Sequence, residues 1–316
     1  MYAGRNFSAC LFIKRFLVDK KLLKIVLINI LCLIVLFVGI ECYFYIDTAN
    51  FYKNKMGNNY AKYTLKKEPF ENKFNYYFKE VMRKPVGLNY KKKPILFLGC
   101  SYAYGYYLTD EETISYKISK KAKRPIYNWA CSAGGIQHAY YVIDKMPKIE
   151  PEPEYIFYIY MKDHLIRMYE NRHELDISEY LLYKIKDGNL EKIDNRYNFI
   201  DNSFFLSRIK KKILNRYIKS KKAHKTFIEY TNFLKNEIKE KYPNSKFVIV
   251  IYDYMPQELI EGLKKNNIDI IYPQESKKFD YNNEKYKLPK ERDYWQHPSG
   301  KAWDVMSDIL IKEFHL

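Results

Sequence analysis

Lys93 to Gly105 reads KPILFLGCSYAYG, and the reading of this stretch decides the fold. Ile95–Leu98 is an unbroken apolar run closed by Gly99, with Cys100, Ser101 and a second glycine, Gly105, behind it. An unbroken run suits a strand buried on both faces, as in a parallel sheet, whereas a strand with one wet face would alternate. The glycine lets the backbone turn sharply at the strand end. Ser101 is thereby set at the carboxyl edge of a sheet, where open α/β folds keep their chemistry. A lone Gly-x-Ser after a core strand is more often an ordinary loop serine, so other segments must bring partners to it.

Outward from this stretch, short apolar runs alternate with helical patterns. Strands are expected at Ile126–Trp129, Tyr155–Met161, Lys246–Tyr252 and Ile268–Tyr272. Helices are expected at Thr109–Lys121, Ile136–Lys145, about Arg208–Lys241, Pro256–Asn266 and Lys301–Phe314. That alternation argues an α/β domain with a parallel sheet of about five strands and right-handed crossovers, over residues 93–316. It lapses at about 168–207, read as an insertion beside the site. Within it, Asp187-Gly188 between the apolar-rich arms of Tyr180–Ile193 signals a hairpin.

At the other end, Ile25–Ile46 is nearly all apolar, interrupted by Asn29 and Glu41, and is long enough to cross the ~30 Å hydrocarbon core. Arg5, Lys14, Arg15, Lys20, Lys21 and Lys24 precede it, while Glu41 and Asp47 open its trailing side. The expectation is a basic cytoplasmic leader (1–24), a single transmembrane helix in contact with the bilayer (25–46), a membrane-proximal stalk (47–92) and an extracytoplasmic domain. A cleaved signal peptide is the competing reading, but the leader is long and no small-residue cleavage site follows.

The chain has 316 residues, is 47% hydrophobic and 17% aromatic, and carries a formal charge of +18. Such a charge draws phosphates. Here, however, it is mostly lysine spread along the chain, without a nucleic-acid module, so no nucleic-acid partner is expected. The six histidines show no metal-ligand spacing and no glycine loop cradles a phosphate, so neither metal nor cofactor is expected. His297 stands in a Pro- and Gly-containing loop, DYWQHPSGKAW, before the last helix, with Asp293 four positions ahead. The loop after the last strand of a doubly wound sheet can return to the edge that carries Ser101, so serine and histidine can meet.

Taken in order, GCSYAYGYYLTDEETISYKIS, NWACSAGG, YIYMKDHLIR and DYWQHPSGKAW resemble the successive blocks of the SGNH (GDSL-like) hydrolase superfamily, over most of Pro94–Leu316. The resemblance implies a flavodoxin-like three-layer α/β/α fold and Ser-His-Asp ester chemistry. It implies Ser101 as nucleophile, His297 as general base, and Gly134 as the second-block glycine whose N–H joins that of Ser101 at the oxyanion. Two positions depart from the pattern. Where the third block usually has an oxyanion-binding Asn, this chain has Lys162, followed by Asp163, with His164 and Arg167 as further polar candidates; Asn128 is another residue placed to line the site. Where the Asp commonly stands three positions before the His there is Tyr294, and Asp293 lies one further back.

Cys100, beside Ser101, is more simply a small apolar residue behind the turn than a nucleophile. Cys100 and Cys131 fall on neighbouring loops, where a disulfide is conceivable but two free thiols are favoured. Two function classes follow. One is a membrane-anchored esterase or O-acyltransferase acting on an acyl ester, of a cell-envelope or exported glycan, with a membrane-bound acyl donor as a partner in the transfer case. The other is a non-catalytic binding or scaffold protein of the same fold in a glycan assembly system, which the Lys162 substitution favours.

Overall fold

The computed structural model describes residues 20–56, 83–131, 134–169, 182–193, 203–290, 293 and 296–316. Five parallel strands form the central sheet: β1 (Ile95–Gly99), β2 (Ile126–Asn128), β3 (Tyr155–Tyr160), β6 (Lys246–Ile251) and β7 (Asp269–Ile271), in the order β2-β1-β3-β6-β7. The chain steps outward from β1 to β2 and then crosses to the other side of β1 to lay down β3. The carboxyl ends of β1 and β3 therefore flank the reversal point, where a parallel sheet opens a crevice. The hairpin pairs β4 (Leu182–Lys186) with β5 (Asn189–Ile193), and Asp187 and Gly188 both take positive φ at its tip, as a tight two-residue turn requires.

Strand residues divide by parity. Leu96, Leu98, Tyr158, Tyr160, Ile249 and Ile251 point to one layer, made by α4 (Ile136–Lys145), α7 (Lys221–Lys241) and α8 (Gln257–Lys265). Ile95, Phe97, Phe157, Ile159, Val248 and Val250 point to the other, where α3 (Ile114–Ala122) and α9 (Gly300–Phe314) pack. Because both faces are covered, the strands read as continuous apolar runs rather than alternating ones.

Three helical expectations are refined. Thr109–Lys121 is a 3-10 turn, Asp110–Glu112, followed by α3, because the Thr113 hydroxyl accepts the Tyr116 N–H and starts a new helix. The run 208–241 is two helices, α6 (Phe204–Tyr217) and α7, separated where Ser220 caps α7 through the Ala223 N–H. Short helices that the sequence reading did not anticipate follow two strand ends: α2 (Ser101–Tyr104) and α5 (Asp163–Arg167).

The N-terminal helix α1 runs from Lys20 to Met56, beyond the expected span at both ends. Its stretch Leu23–Phe44 is apolar and long enough to cross a membrane, as an anchor or signal sequence would be. Most of the expected stalk and much of the expected insertion lie outside the described residues. Where the stalk is described, Val86 bridges to Ile126 at the sheet edge.

Candidate active site

Gly99 ends β1 at φ +143°, and a Cβ there would lie 2.9 Å from the Ile159 carbonyl oxygen, so the strand leaves the sheet at a point that excludes a side chain. Ser101 follows as the first residue of α2 and is buried. Its N–H is among the first-turn donors for which a helix has no internal acceptor. From the far end of the chain, His297 presents Nε2 to Ser101 Oγ at 2.8 Å. Its other ring nitrogen, Nδ1, lies 2.6 Å from Asp293 Oδ2, and the His297 backbone N–H also donates to that oxygen. An ionised carboxylate only accepts, so Nδ1 carries the proton and Nε2 offers its lone pair to the serine hydroxyl. Asp293 is only 2% exposed, and a carboxylate that deep is tolerable because it is hydrogen-bonded, two of its donors coming from the residue it orients.

The four-residue spacing is built by a turn. Gln296 N–H donates to the Asp293 carbonyl at 3.0 Å and Gln296 takes φ +52°, which brings His297 back over the carboxylate. Leu288 N–H then donates to the His297 carbonyl at 2.8 Å, and Pro298 pairs with Lys287. The loop is therefore held on both sides of the histidine.

Three tyrosines surround the imidazole. Tyr102 meets it at 5.2 Å between ring centroids, Tyr106 at 5.8 Å and Tyr107 at 6.0 Å. Tyr102 is wedged against Tyr252 at 5.1 Å, and burial drives its hydroxyl pKa well above the usual phenol range. Tyr106 and Tyr107 are 39% and 37% exposed and touch each other edge to face at 4.5 Å. Tyr107 adopts φ +63°, a left-handed conformation that costs a bulky residue about 1–2 kcal/mol. Arg83 secures the loop that carries them. Its guanidinium donates to the carbonyls of Tyr104 (2.9 Å), Gly105 (2.7 Å) and Leu108 (2.8 Å), and pairs with Asp110.

Other expected residues take different places. Gly134 lies against the β1 end, where a Cβ would come within 2.8 Å of the Gly99 carbonyl, but its N–H donates to the Cys131 carbonyl at 3.0 Å. That donor is spent on the turn, and a role toward an oxyanion requires this one bond to open. Lys162, expected at the oxyanion, is exposed, and its backbone N–H donates to Asp253 Oδ1 at 2.9 Å. Asn128, expected to line the site, is the last residue of β2. It is buried, donates to the Ala103 carbonyl at 2.8 Å and accepts the Ala130 N–H, so it ties the nucleophile helix to β2.

His164 points into the core, 2.6 Å from the Tyr158 hydroxyl, and burial holds its pKa well below the ordinary value, so it stays neutral. Arg167 is a support beneath the site, with Nη1 donating to the Gly134 carbonyl at 2.7 Å. Burial opposes its charge, yet its pKa is raised, with the neighbouring Asp163 favouring the charged form. Asp163 is half-buried between Arg167 and Asp253.

Asp253, at the end of β6, was not singled out from sequence. Burial raises its pKa to about 6, against the N–H bonds of Lys162 and Tyr254, and Asp163 pushes it further up. Its only sequence signal is its place just past an apolar strand. Cys100 and Cys131 are both buried, and burial raises the Cys100 pKa, which suppresses the thiolate. Among the described residues, no group of three or more His, Cys, Asp or Glu is placed to hold a metal.

No family model matches the sequence and no curated protein matches it. The chain is similar to a lipolytic protein of the G-D-S-L family from Veillonella parvula, at 11% identity over 71% of this chain and 99% of that one, with a TM-score of 0.39. It is similar to a psychrotrophic esterase from Pseudoalteromonas, at 13% identity over 71% and 100% of the chains, TM-score 0.42. An acetyl xylan esterase from the rumen bacterium Butyrivibrio proteoclasticus is similar at 8% identity over 71% and 65%, TM-score 0.40. Likenesses of this size carry no weight for function, which stands on the geometry of Ser101, His297 and Asp293.

Proposed function

We propose that this chain is a serine esterase or O-acyltransferase of the SGNH type, anchored by residues 25–46 with its N-terminus in the cytoplasm and its α/β domain outside. The observation that carries the reading is the unbroken relay from Asp293 through His297 to Ser101, assembled at the crevice of the sheet. In the first half-reaction Ser101 Oγ attacks the acyl carbonyl carbon while His297 Nε2 takes the hydroxyl proton, and Asp293 stabilises the imidazolium that forms. The Ser101 N–H, at the start of α2, faces charge that develops on the carbonyl oxygen. Collapse expels the alcohol, protonated by His297, and leaves acyl-Ser101. A water or a sugar hydroxyl then attacks the acyl carbon, with His297 taking its proton; collapse breaks the acyl–Oγ bond and His297 returns the proton to Ser101, giving hydrolysis or transfer from one intermediate.

A glycan ester is the substrate class we favour, because two exposed tyrosines border the base and offer ring faces beside the reacting carbonyl. The test is covalent. The detergent-solubilised full chain treated with an aryl phosphonate ester should gain one adduct on Ser101 by intact mass, and an O-acetylated glycan should release acetate in a Ser101-dependent way. The non-catalytic scaffold reading draws support from the Gly134 N–H already bonded within its turn and from the exposed Lys162. Absence of both adduct and acetate release would favour it.

A further inference from the structure

Helix α6 begins against the trailing end of the apolar stretch of α1. Ser203 caps α6 by accepting the Leu206 N–H at 2.9 Å, and Glu41 of α1 takes the Ser203 hydroxyl and, at 3.2 Å, the Phe205 N–H. A carboxylate placed on first-turn donors also suits the helix dipole. Phe205 stacks on Phe44, the last residue of the apolar stretch, at 5.7 Å and 21°. The level of α6 is therefore fixed to the point where the apolar stretch stops.

From Phe205, residues at intervals of four share a face. They are Ile209 and Ile213, 41% and 62% exposed, on the same stripe as the ring stacked against α1. Lys212 and Arg216, both exposed, flank the stripe. FFLSRIKKKILNRY carries five basic residues and no acidic one, and Lys219, Lys221 and Lys222 follow it. Leu214, about 100° round the helix from Ile213, is buried. Exposed isoleucines bordered by long basic side chains are the surface an interfacial helix presents. The apolar side chains enter the acyl boundary while lysine and arginine reach to the headgroups. Anionic lipid adds electrostatic attraction for each basic residue close to the surface.

We propose that α6 lies on the bilayer as an interfacial helix, with Ile209 and Ile213 inserted and Lys212 and Arg216 on anionic phospholipid headgroups. The domain is then held to the membrane at two places and its orientation is fixed, rather than left to swing on α1. This requires Leu23–Phe44 to lie in the bilayer and does not require the esterase reading.

The full chain reconstituted in vesicles tests it, with tryptophan placed at single exposed positions and brominated phosphatidylcholine as quencher, against the parent chain as background. Leu33→Trp reports the anchor, Ile213→Trp the interfacial face, and Asn189→Trp, at the exposed hairpin, a position away from lipid. Expected is quenching at Leu33 by deep bromines and at Ile213 by shallow ones, with Asn189 unquenched. The Ile213 signal should rise when phosphatidylglycerol is added and fall severalfold in Lys212→Glu/Arg216→Glu. Quenching at Leu33 with none at Ile213 overturns the proposal and leaves the anchor standing. An Ile213 signal indifferent to phosphatidylglycerol and to charge reversal also overturns it. Concentration-dependent self-association that shields Ile213 from bromines gives the face to a second copy, and overturns it as well.

Discussion

Asp293 Oδ2 receives both the imidazole Nδ1–H and the backbone N–H of His297, four residues further along the chain. One oxygen thus sets the ring's tautomer and the position of the backbone that carries it. The four-residue spacing is closed by the left-handed Gln296. Asp293→Asn should therefore keep an acceptor for the backbone while losing the anion. Steady-state kinetics on an acyl ester should show kcat about 10⁴-fold lower in Asp293→Asn, against about 10⁶-fold in Ser101→Ala or His297→Ala. The Ser101→Ala/His297→Ala double variant should be no worse than either single one. Additive losses would mean that the two residues do not act as a unit.

Tyr107 should respond with opposite signs in two measurements. Tyr107→Gly relieves the left-handed backbone and should raise stability by roughly 1 kcal/mol in denaturant unfolding. The same change removes a ring beside His297, so KM for an acetylated glycan should rise several-fold while kcat on ethyl acetate stays near the parent value. Equal effects on both esters would show that the ring shapes the catalytic groups and not the sugar site.

Arg83 spans three carbonyls of the loop between Tyr104 and Leu108. Arg83→Ala leaves those carbonyls without their donor and should lower kcat/KM about tenfold or more, because small displacements of positioned groups cost rate steeply. Arg83→Lys should recover little, since one ammonium cannot reproduce the planar fork. Full recovery would show that only the charge matters.

Asp253 ties stability to pH. Its folded pKa of about 6 lies above the ordinary 3.8, so the folded state holds this proton more tightly than the unfolded chain does. Its contribution is fully favourable only at low pH and is lost as pH rises from about 4 through about 6. Asp253→Asn should leave a Tm that is higher relative to the parent at pH 8 than at pH 4. A difference that does not change with pH would mean that the carboxyl titrates normally.

The orientation of the anchor is open to a direct measurement. A reporter fused after Leu316 should be active only outside the cytoplasm, and cytoplasmic activity would reverse the assignment made from the basic leader.

What could be read in one dimension follows from what is local. The strand ends near Gly99 and Tyr160 were legible because burial on both faces imposes unbroken apolar runs. Ser101 and His297 were legible because loops at one edge of a parallel sheet are neighbours whatever their separation. Arg83 was not, since its partners are loop carbonyls whose directions no residue type encodes, and it lies in a stretch without periodicity. The exposure of Lys162 was not legible, because a sequence position does not tell which way a side chain leaves a helix start. The neutral His164 shows the same limit: its neighbour Asp163 is half-buried near Arg167, while it turns into the core.

The sheet order bears on when the chain becomes reactive. Ser101 and His297 are 196 residues apart, and the histidine loop lies between β7 and α9, the last helix of the chain, whose Trp303 is fully buried in the core. Contacts of such long range close late, after the intervening chain has been ordered. A chain still emerging from the ribosome or the export channel would hold its serine with no base beside it. The Ser101–His297 contact would form only once the histidine loop and α9 have joined the sheet.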